Sequence, residues 1–128
     1  MRAILRVGLG GGLGGGLRSL IDLLVINLGI DALPISIFFI NLTGSLLIGY
    51  LVGLWGNNSA MPAEKWHFWV TGFCGGYTTF SAFSWQVMDL VRQGEGTMAG
   101  FYAASSIALG LVAVWIGLSF AHRRAAQR

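Results

Sequence analysis

Charge is what this sequence has least of. Eight Lys or Arg and five Asp or Glu make up 10% of its 128 residues, against the quarter usual in soluble domains. So few charges cannot clothe a water-facing surface, and most of them sit at the ends of apolar runs. That excludes a disordered chain, which needs low hydrophobicity and high charge, and it excludes a soluble enzyme. Cysteine is nearly absent too. Cys74 stands alone, so neither an intrachain disulfide nor a cysteine metal cluster can be built. The formal charge of +3 looks basic, yet Lys and Arg nowhere form the cluster a nucleic-acid surface requires. What abounds is apolar: 55% hydrophobic residues and a mean hydropathy of +0.69.

The gaps between charges carry the topology. None falls between Asp31 and Glu64, between Lys65 and Asp89, or between Glu95 and Arg123. A helix needs roughly 20 apolar residues to cross the hydrocarbon core, so spans are predicted over about 34–55, 66–91 and 98–121. A fourth, over about 3–27, carries Arg18 and Asp22 near its C-terminal end, at interface depth. A signal peptide is the competing reading of this end. The run after Arg6 is short and glycine-rich, however, and no small-residue cleavage site precedes Arg18. The expectation is an all-α membrane protein, a single four-helix transmembrane domain over 1–128 with both termini on one side. Its loops, Asn57 to Glu64 and Arg92 to Gly96, are too short for an extramembrane domain. Arg2, Arg6, Lys65, Arg123, Arg124 and Arg128 fall on the side of the termini, against Arg18 and Arg92 opposite, which favours cytoplasmic termini.

Twenty glycines need a reason, because glycine weakens helices in water. In lipid, small residues let helix backbones approach closely. Gly8, Gly12 and Gly16 recur every four residues, as do Ser45, Gly49 and Gly53. Ala103, Ser106, Gly110, Ala113 and Gly117 make a third small-residue stripe. Gly10–Gly15 also matches G-x-G-x-x-G, but no strand precedes it and no βαβ unit surrounds it, so packing is the preferred reading.

The third predicted span has a poor helical middle: Gly72, Gly75 and Gly76, then Tyr77, Thr78 and Thr79. A break is expected there, near the bilayer midplane, where unpaired backbone is tolerated only inside protein or along a watery cavity. A continuous helix with a glycine contact is the alternative. The residues around the break favour a site. Phe80 and Phe83 share a helix face, with Thr79 and Gln86 alongside, and an aromatic ring edge is positive enough to attract an anion weakly. Asn41 offers an amide, with Thr43 and Ser45 nearby, while Tyr102 and Ser106 present two hydroxyls one helical turn apart. The set donates hydrogen bonds and includes no deep carboxylate, which suits a small anion. A proton-coupled exporter would need a buried acid.

These residues resemble the CrcB/Fluc family of bacterial fluoride channels. Thr71-Gly-Phe-Cys-Gly-Gly-Tyr-Thr-Thr-Phe-Ser-Ala-Phe-Ser84 is similar to the family signature G-F-x-G-G-x-T-T-F-S-T-F. Asn41-Leu-Thr-Gly-Ser-Leu-Leu-Ile-Gly49 is similar to its N-x-x-G-x-x-x-x-G segment, and a glycine-rich start ends in Gly16-Leu-Arg18. The resemblance implies a multi-pass protein of the bacterial inner membrane that lets fluoride leave passively and relieves its toxicity. It also implies a dual-topology dimer of antiparallel subunits with fluoride pores along their interface. A structural Na+ at that interface would be held by backbone carbonyls of Gly75 and Thr78. Asn41, Thr79, Phe80, Phe83, Tyr102 and Ser106 would line the pore, and Arg18 a vestibule. Gln86 and Gly110 depart from the family, where many members have Glu at the first position and some have Ser at the second. The six-to-two charge bias leaves two partners open: a second copy of the chain, or an oppositely oriented paralogue. The competing functions are a small multidrug-type exporter and a non-transporting membrane subunit.

Overall fold

The computed structural model describes residues 1–29, 34–55 and 62–126, and every regular element among them is helical. Helices α1 (Arg2–Asn27), α2 (Ile35–Trp55) and α5 (Gly96–Ala126) are each long and apolar enough to cross a membrane. Between α2 and α5, a turn of α-helix at Ala63–Lys65, a π-helical stretch at Trp66–Cys74 and a further turn at Gly75–Tyr77 follow one another directly. They are treated together as α3 (63–77). Thr78 and Thr79 then take extended geometry, with ψ of 157° and 122°, before α4 (Phe80–Arg92) begins. The stretch predicted as one span over 66–91 therefore consists of two helical pieces. Most of the predicted loop from Asn57 to Glu64 lies at 56–61, outside the described residues. The loop predicted after Arg92 is a tight turn in which Gly94 supplies a φ of +83°.

The molecule is apolar on the outside: Leu9, Leu13, Phe101 and Trp115 are exposed. Inside, Ile37, Ile40 and Tyr77 form one buried cluster and Leu51, Val70 and Cys74 another, and glycine makes the closest helix contacts. A Cβ on Gly10 would strike the Phe68 carbonyl, and one on Gly14 the Phe73 carbonyl. These two glycines are four residues apart on α1, but the carbonyls they meet are five apart on α3. One α-helical turn is thus matched to one π turn, whose hydrogen bonds run i to i+5. The stripe predicted from Gly8, Gly12 and Gly16 makes no contact with the other described residues: a Cβ at any of the three would meet nothing within 4 Å. Within Gly10–Gly16 several four-residue repeats coexist, so the spacing alone could not choose between them. The other two stripes meet each other across α2 and α5. Gly49 lies against Val114, and a Cβ on Gly117 would come within 2.6 Å of the Tyr50 amide nitrogen. An Arg6–Glu64 ion pair of 2.7 Å joins the starts of α1 and α3.

Candidate functional site

The extended pair Thr78–Thr79 is held by side chains from elsewhere. Asn41, on α2, accepts a hydrogen bond from the Thr79 amide at 2.8 Å and donates to the Thr79 carbonyl at 3.0 Å. Thr79 Oγ1 in turn accepts from the Ala82 amide at 3.2 Å, capping the first turn of α4. Both amides matter for what they no longer do. In an unbroken helix the Thr79 N–H would bond the Gly75 carbonyl and the Ala82 N–H the Thr78 carbonyl. Asn41 and the Thr79 hydroxyl take those two donors instead. The Gly75 and Thr78 carbonyls are thereby released from the helical ladder.

The released backbone borders a crevice of about 320 Å³. Asn41, Gly75, Thr78, Thr79, Phe80 and Phe83 all line it, together with Gly44, Ser45 and Cys74. Six of the residues singled out from sequence thus converge on one space. The Phe80 and Phe83 ring centroids lie 5.8 Å apart, and Phe83 is 5.5 Å from Tyr102, so the aromatic row continues on to α5. Tyr102 is buried away from the crevice lining, and its hydroxyl donates to Gln86 Oε1 at 2.8 Å. Ser106, a turn further on, has a buried Oγ with no hydrogen-bond partner among the described residues. Arg18 reaches the crevice's edge from α1, its Nη1 donating to the Thr78 carbonyl at 3.5 Å.

Among the described residues no carboxylate lines this crevice. Asp22 and Asp89 line a different recess near the end of α1, where Asp22 accepts from the Ser36 hydroxyl and Asp89 from the Gln93 amide. Nor do the described residues group three His, Cys, Asp or Glu as a side-chain metal site. Carbonyl oxygens released in pairs are nevertheless the donor type that suits a hard cation. Gly75 is exposed and open on its side-chain face, which leaves room for a ligand there.

Three contacts had no signal in the sequence. The Asn41–Thr79 clamp joins residues 38 apart, and the Arg18–Thr78 contact residues 60 apart. The Tyr77 hydroxyl meets that of Thr43 at 3.0 Å, a third tie between α2 and the break. The Thr79 cap has a signal that sequence reasoning missed, since Thr before an apolar helical run is an N-cap signature.

An all-helical chain with three helices long and apolar enough to cross a membrane, packed around a polar crevice, belongs to the class of small polytopic membrane proteins. The comparison with known families makes the class definite. Residues 5–118 match the family model described as CrcB-like protein, Camphor Resistance (CrcB), and the chain belongs to that family. A protein of Flavobacterium psychrophilum named fluoride-specific ion channel FluC is 40% identical over 121 residues, covering 94% of this chain and 98% of that one. Similarly named proteins of Rhizobium meliloti and Hyphomonas neptunium are each 42% identical, covering 93% and 96% of this chain and 95% and 98% of their own lengths.

Proposed function

We propose that this chain is the subunit of a fluoride channel that lets the ion leave the cell passively across the bacterial inner membrane and so relieves its toxicity. The observation that carries this is the crevice: hydrogen-bond donors and aromatic edges beside released backbone, with no carboxylate. Fluoride is small and strongly hydrated. Its pore must replace water with donors that hold it weakly enough to let it go. Asn41 has a second amide hydrogen beyond the one given to Thr79. Ring edges of Phe80 and Phe83 offer partial positive charge without a fixed cation. Tyr102 and the unpartnered hydroxyl of Ser106 extend the polar track, and Arg18 draws anions toward it.

One chain encloses half of such a path. Phe80 is 78% exposed and Gly75 is open, which supports a second subunit across the crevice. In an antiparallel dimer the twofold axis lies in the membrane plane, and breaks near the midplane of the third span would meet on it. The Gly75 and Thr78 carbonyls of both subunits would then hold a Na+. Bound there, the ion supplies fixed positive charge that offsets the electrostatic cost of an anion in a low-dielectric pore. The partner is a second copy of the chain or an oppositely oriented paralogue. An exporter of the proton-coupled kind is disfavoured by the placement of Asp22 and Asp89 outside the crevice. Purified protein in liposomes loaded with fluoride tests the proposal: efflux selective for fluoride over chloride is expected, and none at all ends the channel assignment.

A further inference from the structure

A second feature lies on the other side of α2. Thr43, Leu46, Leu47 and Tyr50 of α2 and Ile116 and Phe120 of α5 bound a groove of about 650 Å³ whose walls are mostly apolar. A smaller groove of about 230 Å³ runs along the far side of Phe120, between it and Trp115. Phe120, 60% exposed, is the ridge that separates the two. Arg123 borders both grooves, and Arg124 closes the larger one, its Nη1 donating to the Tyr50 hydroxyl at 2.7 Å. Among the described residues no acidic side chain borders either groove.

The dimensions fit one membrane leaflet. From Ile116 to Arg124 the helix rises about 12 Å, against the ~15 Å of hydrocarbon in half a bilayer core. The arginines lie beyond the roughly 20 residues of α5 that fill the core, hence at headgroup level. At ~100° per residue, Thr43 lies about 200° round α2 from Asn41, and Tyr50 about 200° round from Ile48. The grooves therefore face away from the crevice that a partner subunit would close.

The geometry points to a binding site for one anionic, two-chain phospholipid. Its acyl chains lie in the two grooves astride Phe120, and Arg123 and Arg124 hold its phosphate. Basic recesses between transmembrane helices attract anionic headgroups in this way. A free inorganic anion would leave both apolar grooves unused, and a zwitterionic lipid would bring a cation against the two arginines. The site is independent of the fluoride proposal, because none of its residues borders the crevice.

Native mass spectrometry of the purified protein, titrated with phosphatidylglycerol, phosphatidylcholine or glycerol phosphate, tests it. Wild type should retain phosphatidylglycerol in preference to phosphatidylcholine and should not retain glycerol phosphate. R123Q with R124Q should weaken phosphatidylglycerol about fivefold per arginine, about 25-fold together, and leave phosphatidylcholine unchanged. Leu47→Trp, which fills the larger groove, should weaken phosphatidylglycerol with both arginines intact. Equal retention of the two lipids, indifference to the arginine changes, or retention of glycerol phosphate would each overturn the site. Fluoride efflux from the same preparations separates the two proposals: normal efflux without lipid preference rejects the lipid site alone.

Discussion

Replacing Asn41 separates two roles that meet in one side chain, and the structure gives a magnitude for each. Asn41→Ala removes both clamp bonds and strands the Thr79 amide and carbonyl. A buried polar group left without a partner costs about 1–3 kcal/mol, so about 2–6 kcal/mol is expected for the pair. Bonds between membrane helices average only ~0.6 kcal/mol where the freed groups find new partners. Thr79 is 9% exposed, with its hydroxyl already engaged, so the larger figure applies. Asn41→Asp differs. Its carboxylate still accepts from the Thr79 amide, so the clamp keeps one of its two bonds, but an acceptor now faces the Thr79 carbonyl. What it adds is a negative charge beside the crevice. At ~5 Å and an effective dielectric constant of ~20 the repulsion of an anion is about 3.3 kcal/mol, a slowing of about 270-fold. Thermal unfolding in detergent should therefore place both variants below wild type, while fluoride efflux from liposomes should be slowest for Asp relative to its stability. An Asp variant that conducts within a few-fold of wild type would refute a pore-side position for Asn41. An Ala variant as stable as wild type would refute the clamp.

Phe80→Ile and Phe83→Ile keep apolar bulk but lose the ring edges; each should abolish efflux while cross-linking still reports a dimer, and unchanged efflux in both removes them from the path. Gly14→Ala places a methyl against the Phe73 carbonyl and should cost about 1–3 kcal/mol in thermal unfolding, whereas Gly12→Ala, facing open space, should be neutral or slightly stabilising. Exchanging Na+ for N-methylglucamine should slow efflux and loosen the dimer on size-exclusion chromatography. Unchanged behaviour would argue that the Gly75 and Thr78 carbonyls hold no cation. Reporter fusions at the C-terminus should show one orientation if the chain pairs with a paralogue; equal signal from both sides of the membrane would establish a homodimer of dual topology.

Much of the site was legible in the sequence because its ingredients are local. Gly75, Gly76 and the threonines after them are poor helix formers wherever they stand, and Phe80 and Phe83 share a face by spacing alone. The π-helical stretch at Trp66–Cys74 left no such trace, since no periodicity in its residues distinguishes an i to i+5 ladder from the ordinary one. The choice among glycine stripes on α1 was equally hidden. A contact face depends on the partner's surface, and α3 presents its carbonyls five residues apart.

The sequence by itself determined the solvent this protein lives in and the positions of its spans. The free-energy cost of a charge in hydrocarbon is large and local, so the charge-free intervals mark three long stretches of apolar chain without reference to any contact. Only the tertiary structure decided which backbone groups are free. Whether the Gly75 and Thr78 carbonyls stay in a helix depends on where the Thr79 and Ala82 amides donate. For Thr79 that is settled by an amide on α2, 38 residues away along the chain. Hydrogen bonds are directional and short, and which groups come within 3 Å of one another follows from helix packing.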